Sequence, residues 1–120
     1  MPEFVTTVPG VKIVSEANLR QHWSERRKRA KAQQHHTNTA LQLFGRDAHK
    51  AVIAAPAIAV RLVRLGGRKI DSDNLAGGFK AVRDQIAKWC GRDDGSETYQ
   101  WEYGQEAAPV PGFRIEVRTP

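Results

Sequence analysis

The clearest periodic signal in the chain lies between residues 71 and 94. Leu75, Phe79, Val82, Ile86 and Trp89 recur at spacings of 4, 3, 4 and 3, the interval that puts side chains on one helical face. At roughly 100° per residue, the row Asp73, Gly77, Lys80 and Asp84 falls on the opposite side. The pattern predicts a central helix starting at Asp71-Ser72-Asp73-Asn74, with its apolar side docked on a core. Asp at a helix entrance is a good cap, and the backbone N–H groups there favour negative charge. Gly77 and Gly78 are unusual inside a helix, each costing about 0.5–1 kcal/mol relative to Ala. They make sense where another backbone, of protein or nucleic acid, approaches closely.

Period-2 alternation marks the strands. In residues 57–65, Ile58, Val60 and Leu62 lie on one side and Val63 and Leu65 on the other; a Gly66-Gly67 turn follows. Tyr99, Trp101 and Tyr103 alternate with Gln100 and Glu102, and Phe113, Ile115 and Val117 alternate with Arg114, Glu116 and Arg118. The Pro-rich stretch 107–112 joins these two runs, predicting an antiparallel pair. Residues 3–14 read as one or two short strands broken at Pro9-Gly10. Leu19, Trp23, Ala30, Thr37, Leu41 and Phe44 mark the seam of a long helix over 17–44, capped by Ser15 or Asn18 and stopped by Gly45, or two helices with a break near Thr37-Asn38-Thr39. Residues 46–56 read as a connection, with 52–55 either a helical turn or a strand start. The sum is an α+β fold: a mixed sheet, a long basic N-terminal helix and the central helix, forming one domain over residues 1–120.

Charge changes this picture. The chain has a net charge of +6 and a sequence pI near 9.9, which points to a polyanionic partner and to nucleic acid first. Arg20, Arg26, Arg27, Lys28, Arg29 and Lys31 surround the seam of the long helix with Glu25 as the only acid among them, and Arg68 and Lys69 precede the central helix. Such groups pair with phosphate oxygens and release counterions. No base-reading motif accompanies them, so backbone contacts are expected. The single cysteine, Cys90, excludes an internal disulfide and reads as a small buried filler. No signal pattern and no run of about 20 apolar residues occurs, so a cytoplasmic protein without a membrane span is expected. The adjacent His35 and His36 point to different sides of a helix and have no partners at zinc-ligand spacing.

Against the basic background, Asp71, Asp73, Asp84, Asp93, Asp94 and Glu97 make up six of the 13 acidic residues. Concentrated like charge costs Coulomb energy unless a cation neutralises it, and a divalent metal is the usual one. A lone Asp before a helix is ordinarily only a cap. Asp-x-Asp-Asn followed by a distant Asp-Asp has more carboxylates than capping requires.

The order of a strand, a basic strand end, Asp71-Ser72-Asp73-Asn74-Leu75 at a helix start, a lysine on that helix and Asp93-Asp94-Gly95 before an aromatic strand resembles the RusA family of Holliday-junction resolvases. The resemblance covers about residues 57–118. It implies a Mg²⁺-dependent endonuclease of phage or prophage type, with Mn²⁺ as a substitute, acting on four-way DNA junctions as a homodimer. Asp71 and Asp73 match the paired metal-ligand aspartates, and Asp94 matches the third. The family's catalytic lysine stands where this chain has Gly77; here the lysine comes one turn later, as Lys80. A second reading from the residues alone is a non-catalytic nucleic-acid-binding protein whose aspartates cap helices and anchor loops. A third is a basic assembly protein with no DNA role.

Overall fold

The computed structural model describes residues 3–14 and 23–120. Ser15, Asn18, Leu19 and Arg20 lie outside these residues, as does the start expected for the long helix. The chain runs β1 (Phe4–Pro9), α1 (Trp23–Phe44), α2 (His49–Ala54), β2 (Ile58–Gly66), α3 (Ser72–Gly78), α4 (Lys80–Cys90), β3 (Tyr99–Ala107) and β4 (Gly112–Arg118). The α+β class and the mixed sheet agree with the alternation read from the sequence.

The four strands are ordered β1-β4-β2-β3. β2 pairs in parallel with β3 and antiparallel with β4, and β4 pairs antiparallel with β1. This corrects the antiparallel pairing expected of the last two strands. β3 follows the helical crossover α3–α4, and a parallel neighbour needs such a crossover. The Pro-rich link passes the end of β2, where the Ala108 amide donates to the Gly66 carbonyl at 3.1 Å. β4 then descends on the other side of β2. The most apolar strand therefore becomes internal, with neighbours on both edges.

Ile58, Val60 and Leu62 from β2 and Phe113, Ile115 and Val117 from β4 are fully buried beneath the helices. The stripe Leu75, Phe79, Val82, Ile86 and Trp89 packs onto them. Burying one side chain of this size stabilises by about 1.5–3 kcal/mol. The central helix is, however, two helices. Phe79, at φ −93° and ψ 5°, separates α3 from α4. The cause lies at Gly78, where a Cβ would stand 2.6 Å from the Val14 carbonyl oxygen. Close approach of residues 11–14 requires glycine, and two glycines in sequence weaken the helix at that point. Gly77 has open space around it.

α1 is continuous over its described length and ends before Gly45. There a Cβ would meet the Leu41 carbonyl, Trp89 and Phe4 at 2.9–3.1 Å. Its buried residues are Gln33, Thr37, Ala40 and Leu41. The expected seam is therefore corrected at both ends, since Trp23 and Phe44 are exposed. Gln33 takes the inward place because its Nε2 donates to the Lys12 carbonyl at 3.0 Å. The connection at 46–56 contains the short helix α2. Cys90 is buried and free, and burial pushes its thiol pKa up despite the Tyr99 hydrogen bond and the Arg92 charge. No helix among the described residues is long and apolar enough to cross a membrane.

Candidate functional site

α1 and α4 lie side by side with the same chain direction. Arg26 shares a cavity wall with Lys80 and Asp84, Gln85 Nε2 donates to Asn38 Oδ1 at 3.4 Å, and Gln42 meets Lys88 and Trp89. The groove between the helices opens into cavities. One, of about 280 Å³, is bounded by Arg26, Gln33, Gly77, Lys80 and Asp84 among others. The next, of about 450 Å³, is bounded by Gln34, Asp84, Lys88, Arg92, Asp93 and Asp94 among others. Asp84 lines both. Gly77, Lys80 and Asp84 of the outward row thus face the basic helix across a groove, and Asp73 lines neither cavity.

Acidic and basic groups meet in that groove. Lys80 Nζ lies 3.3 Å from Asp84 Oδ2, one turn along α4. Asp94 Oδ2 lies 3.5 Å from Arg83 Nε, and Asp84 and Asp94 line the same cavity. Desolvation works against ionising Asp94, but the Arg83 hydrogen bond and charge, with contributions from Asp84 and Lys80, hold its carboxyl below the usual range.

The aromatic stripe of β3 holds this loop in place. Tyr99 Oη donates to the Arg92 carbonyl at 3.1 Å, Trp101 Nε1 donates to the Asp94 carbonyl at 3.1 Å, and Arg83 Nη1 donates to Tyr103 Oη at 2.7 Å. Arg92 in turn donates to the Ala55 carbonyl. The rings pack against the core: Tyr99 lies on Trp101 at 4.8 Å, and Tyr103 stacks on Phe79 at 6.0 Å. One period-2 aromatic run supplies core area with its ring faces and loop anchors with its polar tips.

Asp71 and Asp73 stand at the α3 entrance, both exposed. Asp71 occupies the N-cap position in extended conformation, yet its side chain makes no capping hydrogen bond. Neither carboxylate has a hydrogen bond or ion pair among the described residues. Arg68 and Lys69 are exposed just before them, and Arg26, Arg27, Lys28 and Lys31 are exposed along α1 with Arg29 half-buried.

Mg²⁺ takes hard oxygen ligands and is usually held by one or two carboxylates, with phosphate and water completing the set. Asp84 and Asp94 match that donor set. Among the described residues no three His, Cys, Asp or Glu side chains gather as a group able to hold a metal. Asp71 and Asp73 are therefore not brought into one cage with Asp94. Asp84 joins the site without having been among the ligands that the Asp-x-Asp and Asp-Asp motifs point to. Its signal was its place one turn beyond Lys80 on the row opposite the apolar stripe. Comparison with protein-family models, curated proteins and solved structures found no match.

Proposed function

We propose that this chain is a Mg²⁺-dependent endonuclease of the cytoplasm that cuts branched DNA. It would resolve Holliday junctions in recombination and repair as a homodimer, with Mn²⁺ able to substitute. The observation that carries this reading is the state of Asp71. It sits at the N-cap of α3 yet its side chain makes no capping hydrogen bond, so capping does not use up its carboxylate.

Asp94, with Asp84 in the same cavity, would hold the ion; the resemblance assigns Asp71 and Asp73 as ligands too, and they would have to draw nearer to Asp94 to share it. When bound, the ion polarises the phosphoryl oxygen and lowers the pKa of a coordinated water. The chain's own groups do the rest. Arg83 and the Trp101 indole fix Asp94, so the carboxylate is oriented before substrate arrives. Lys80 shares its charge with Asp84 in the resting protein and offsets charge that develops on the phosphate during cleavage. The α1 cations hold phosphates along the groove.

The test is cleavage of a labelled four-way junction and a matched linear duplex, with Mg²⁺ or with EDTA. Paired nicks in the junction alone, only with Mg²⁺, and their loss in Asp73→Asn are expected. Full cleavage by Asp73→Asn would break the ligand assignment.

One observation favours a non-catalytic DNA-binding protein: Asp94 is tied to Arg83 as a loop anchor would be. That reading predicts binding without cutting in every divalent metal. It also predicts tighter DNA binding once Asp71 and Asp73 are neutralised.

A further inference from the structure

Beyond the acidic groups the groove continues into a third cavity, of about 270 Å³, bounded by Gln42, Arg46, His49, Lys88 and Trp89. We propose that this cavity is a phosphate-binding site that grips the DNA strand next to the reacting phosphate, an inference that rests on the DNA reading above.

Its wall is built of donors and contains no acid. Arg46 and Lys88 are exposed and form no ion pair among the described residues. Gln42 adds an amide. His49 is fixed in the wall: Nε2 donates to the Trp89 carbonyl at 2.8 Å, and its ring lies 4.7 Å from the Trp89 ring. That bond uses the Nε2–H, so His49 shapes the wall while Arg46, Lys88 and Gln42 supply the donors toward a ligand. A planar guanidinium, an ammonium and an amide in one concavity fit a phosphate's several acceptor oxygens.

Position identifies the source of that phosphate. Lys88 lines this cavity and also the larger acidic one, so the two adjoin. It follows Asp84 by one helical turn, about 5.4 Å of rise. Phosphates succeed one another at about 3.4 Å of axis per nucleotide, so a strand whose scissile phosphate lies at Asp84 and Asp94 brings a phosphate one or two nucleotides away to Arg46 and Lys88. None of these residues belongs to the basic cluster at the start of α1. The grip therefore extends to both ends of the groove.

Binding of a labelled four-way junction is measured in EDTA over a salt series, for the full chain and for Arg46→Ala/Lys88→Ala. Both residues are exposed, and circular dichroism melts check the fold. Loss of one phosphate contact makes the slope of log K against log salt shallower by about 0.9. The double variant is expected to lose one to two such contacts and about tenfold in affinity near 0.1 M salt, with the charge-preserving Arg46→Lys/Lys88→Arg keeping most of both. An unchanged slope in a variant that binds and melts normally would overturn the site while leaving the endonuclease reading intact. If the unmodified chain fails to bind DNA, the DNA reading falls and the site falls with it. Arg46- and Lys88-dependent retention of polyglutamate, with the DNA slope unaltered, would reassign the cavity to an acidic protein.

Discussion

The two faces of this protein use charge in opposite ways. On the sheet face away from the helices, Arg61, Arg114 and Arg118 meet Glu102, Glu106 and Glu116. Arg114 pairs with Glu106 at 2.5 Å and with Glu116 at 2.9 Å, Arg118 pairs with Glu102 at 3.1 Å, and Arg61 lies 3.9 Å from Glu116. Three positive and three negative side chains cancel there. Their aliphatic stems cover Ala59 and Val63, which are buried although they point away from the helical core. On the helix face, α1 carries a run of cations with one acid, and Asp71 and Asp73 form no ion pair among the described residues. A face whose charges cancel has little left for a partner, whereas a face on which cations outnumber acids along α1 keeps a net charge to offer one. Net charge alone does not reveal this division.

The largest test of the contrast is catalytic. Asp94→Asn should reduce Mg²⁺-dependent junction cleavage by about 100-fold or more, the scale of losing one preorganised electrostatic group. Glu116→Gln, on the sheet face, should leave the rate within about twofold. Equal losses in the two variants would place the chemistry elsewhere. Next in size is DNA affinity. Arg27→Ala/Lys28→Ala/Lys31→Ala should weaken junction binding by about 10²–10³-fold at low salt and flatten the salt dependence by up to about three contacts. Arg61→Ala/Arg118→Ala should change neither, as a filter-binding series would show.

The junction between helix face and core is tested by its two glycines. Gly78→Ala places a methyl group against the Val14 carbonyl and should destabilise by about 1–3 kcal/mol in urea unfolding. Gly77→Ala meets open space and should stabilise by about 0.5–1 kcal/mol. Gly77→Lys, the residue the resembled family carries there, should also be accommodated. A stabilising Gly78→Ala would refute the close packing that divides α3 from α4.

The smallest effect concerns acid. The hydrogen bond from Arg114, then its charge and that of Arg61, hold the Glu106 carboxyl below the ordinary glutamate range against a smaller desolvation effect. A depressed folded value stabilises above the unfolded pKa, and this is lost as pH falls through the lower folded value. Titration by NMR should show Glu106 returning to the ordinary range in Arg114→Gln, with no change in DNA binding. Because the pair is exposed, the change in melting temperature should be slight.

Much of the fold follows from periodicity alone. The stripe from Leu75 to Trp89, the alternation in β2, β3 and β4 and the turn at Gly10 with φ +81° are local consequences of side-chain spacing and backbone freedom. Periodicity does not say which strand pairs with which. The position of β4 between β1 and β2 depends on burial of β2 from both edges, a property of the whole sheet. The exposure of Trp23 and Phe44 and the burial of Gln33 were hidden for the same reason. They are set by what α1 packs against, and a polar side chain goes inward when a backbone carbonyl waits for it.

The sequence by itself determined the class of fold, the row of Asp73, Gly77, Lys80 and Asp84 opposite the core, and the excess of positive charge. Each depends only on residue type and short-range spacing. Packing settled that the β3 aromatics anchor the Asp94 loop through their polar tips and that Asp84 and Asp94 line one cavity. The pairing of Arg114 and Arg118 with glutamates, and the lack of an ion pair at Arg46 and Lys88 among the described residues, are likewise outcomes of packing. These are contacts between residues distant in the chain, and their energies depend on distance, burial and shared partners, which exist only once the elements have packed.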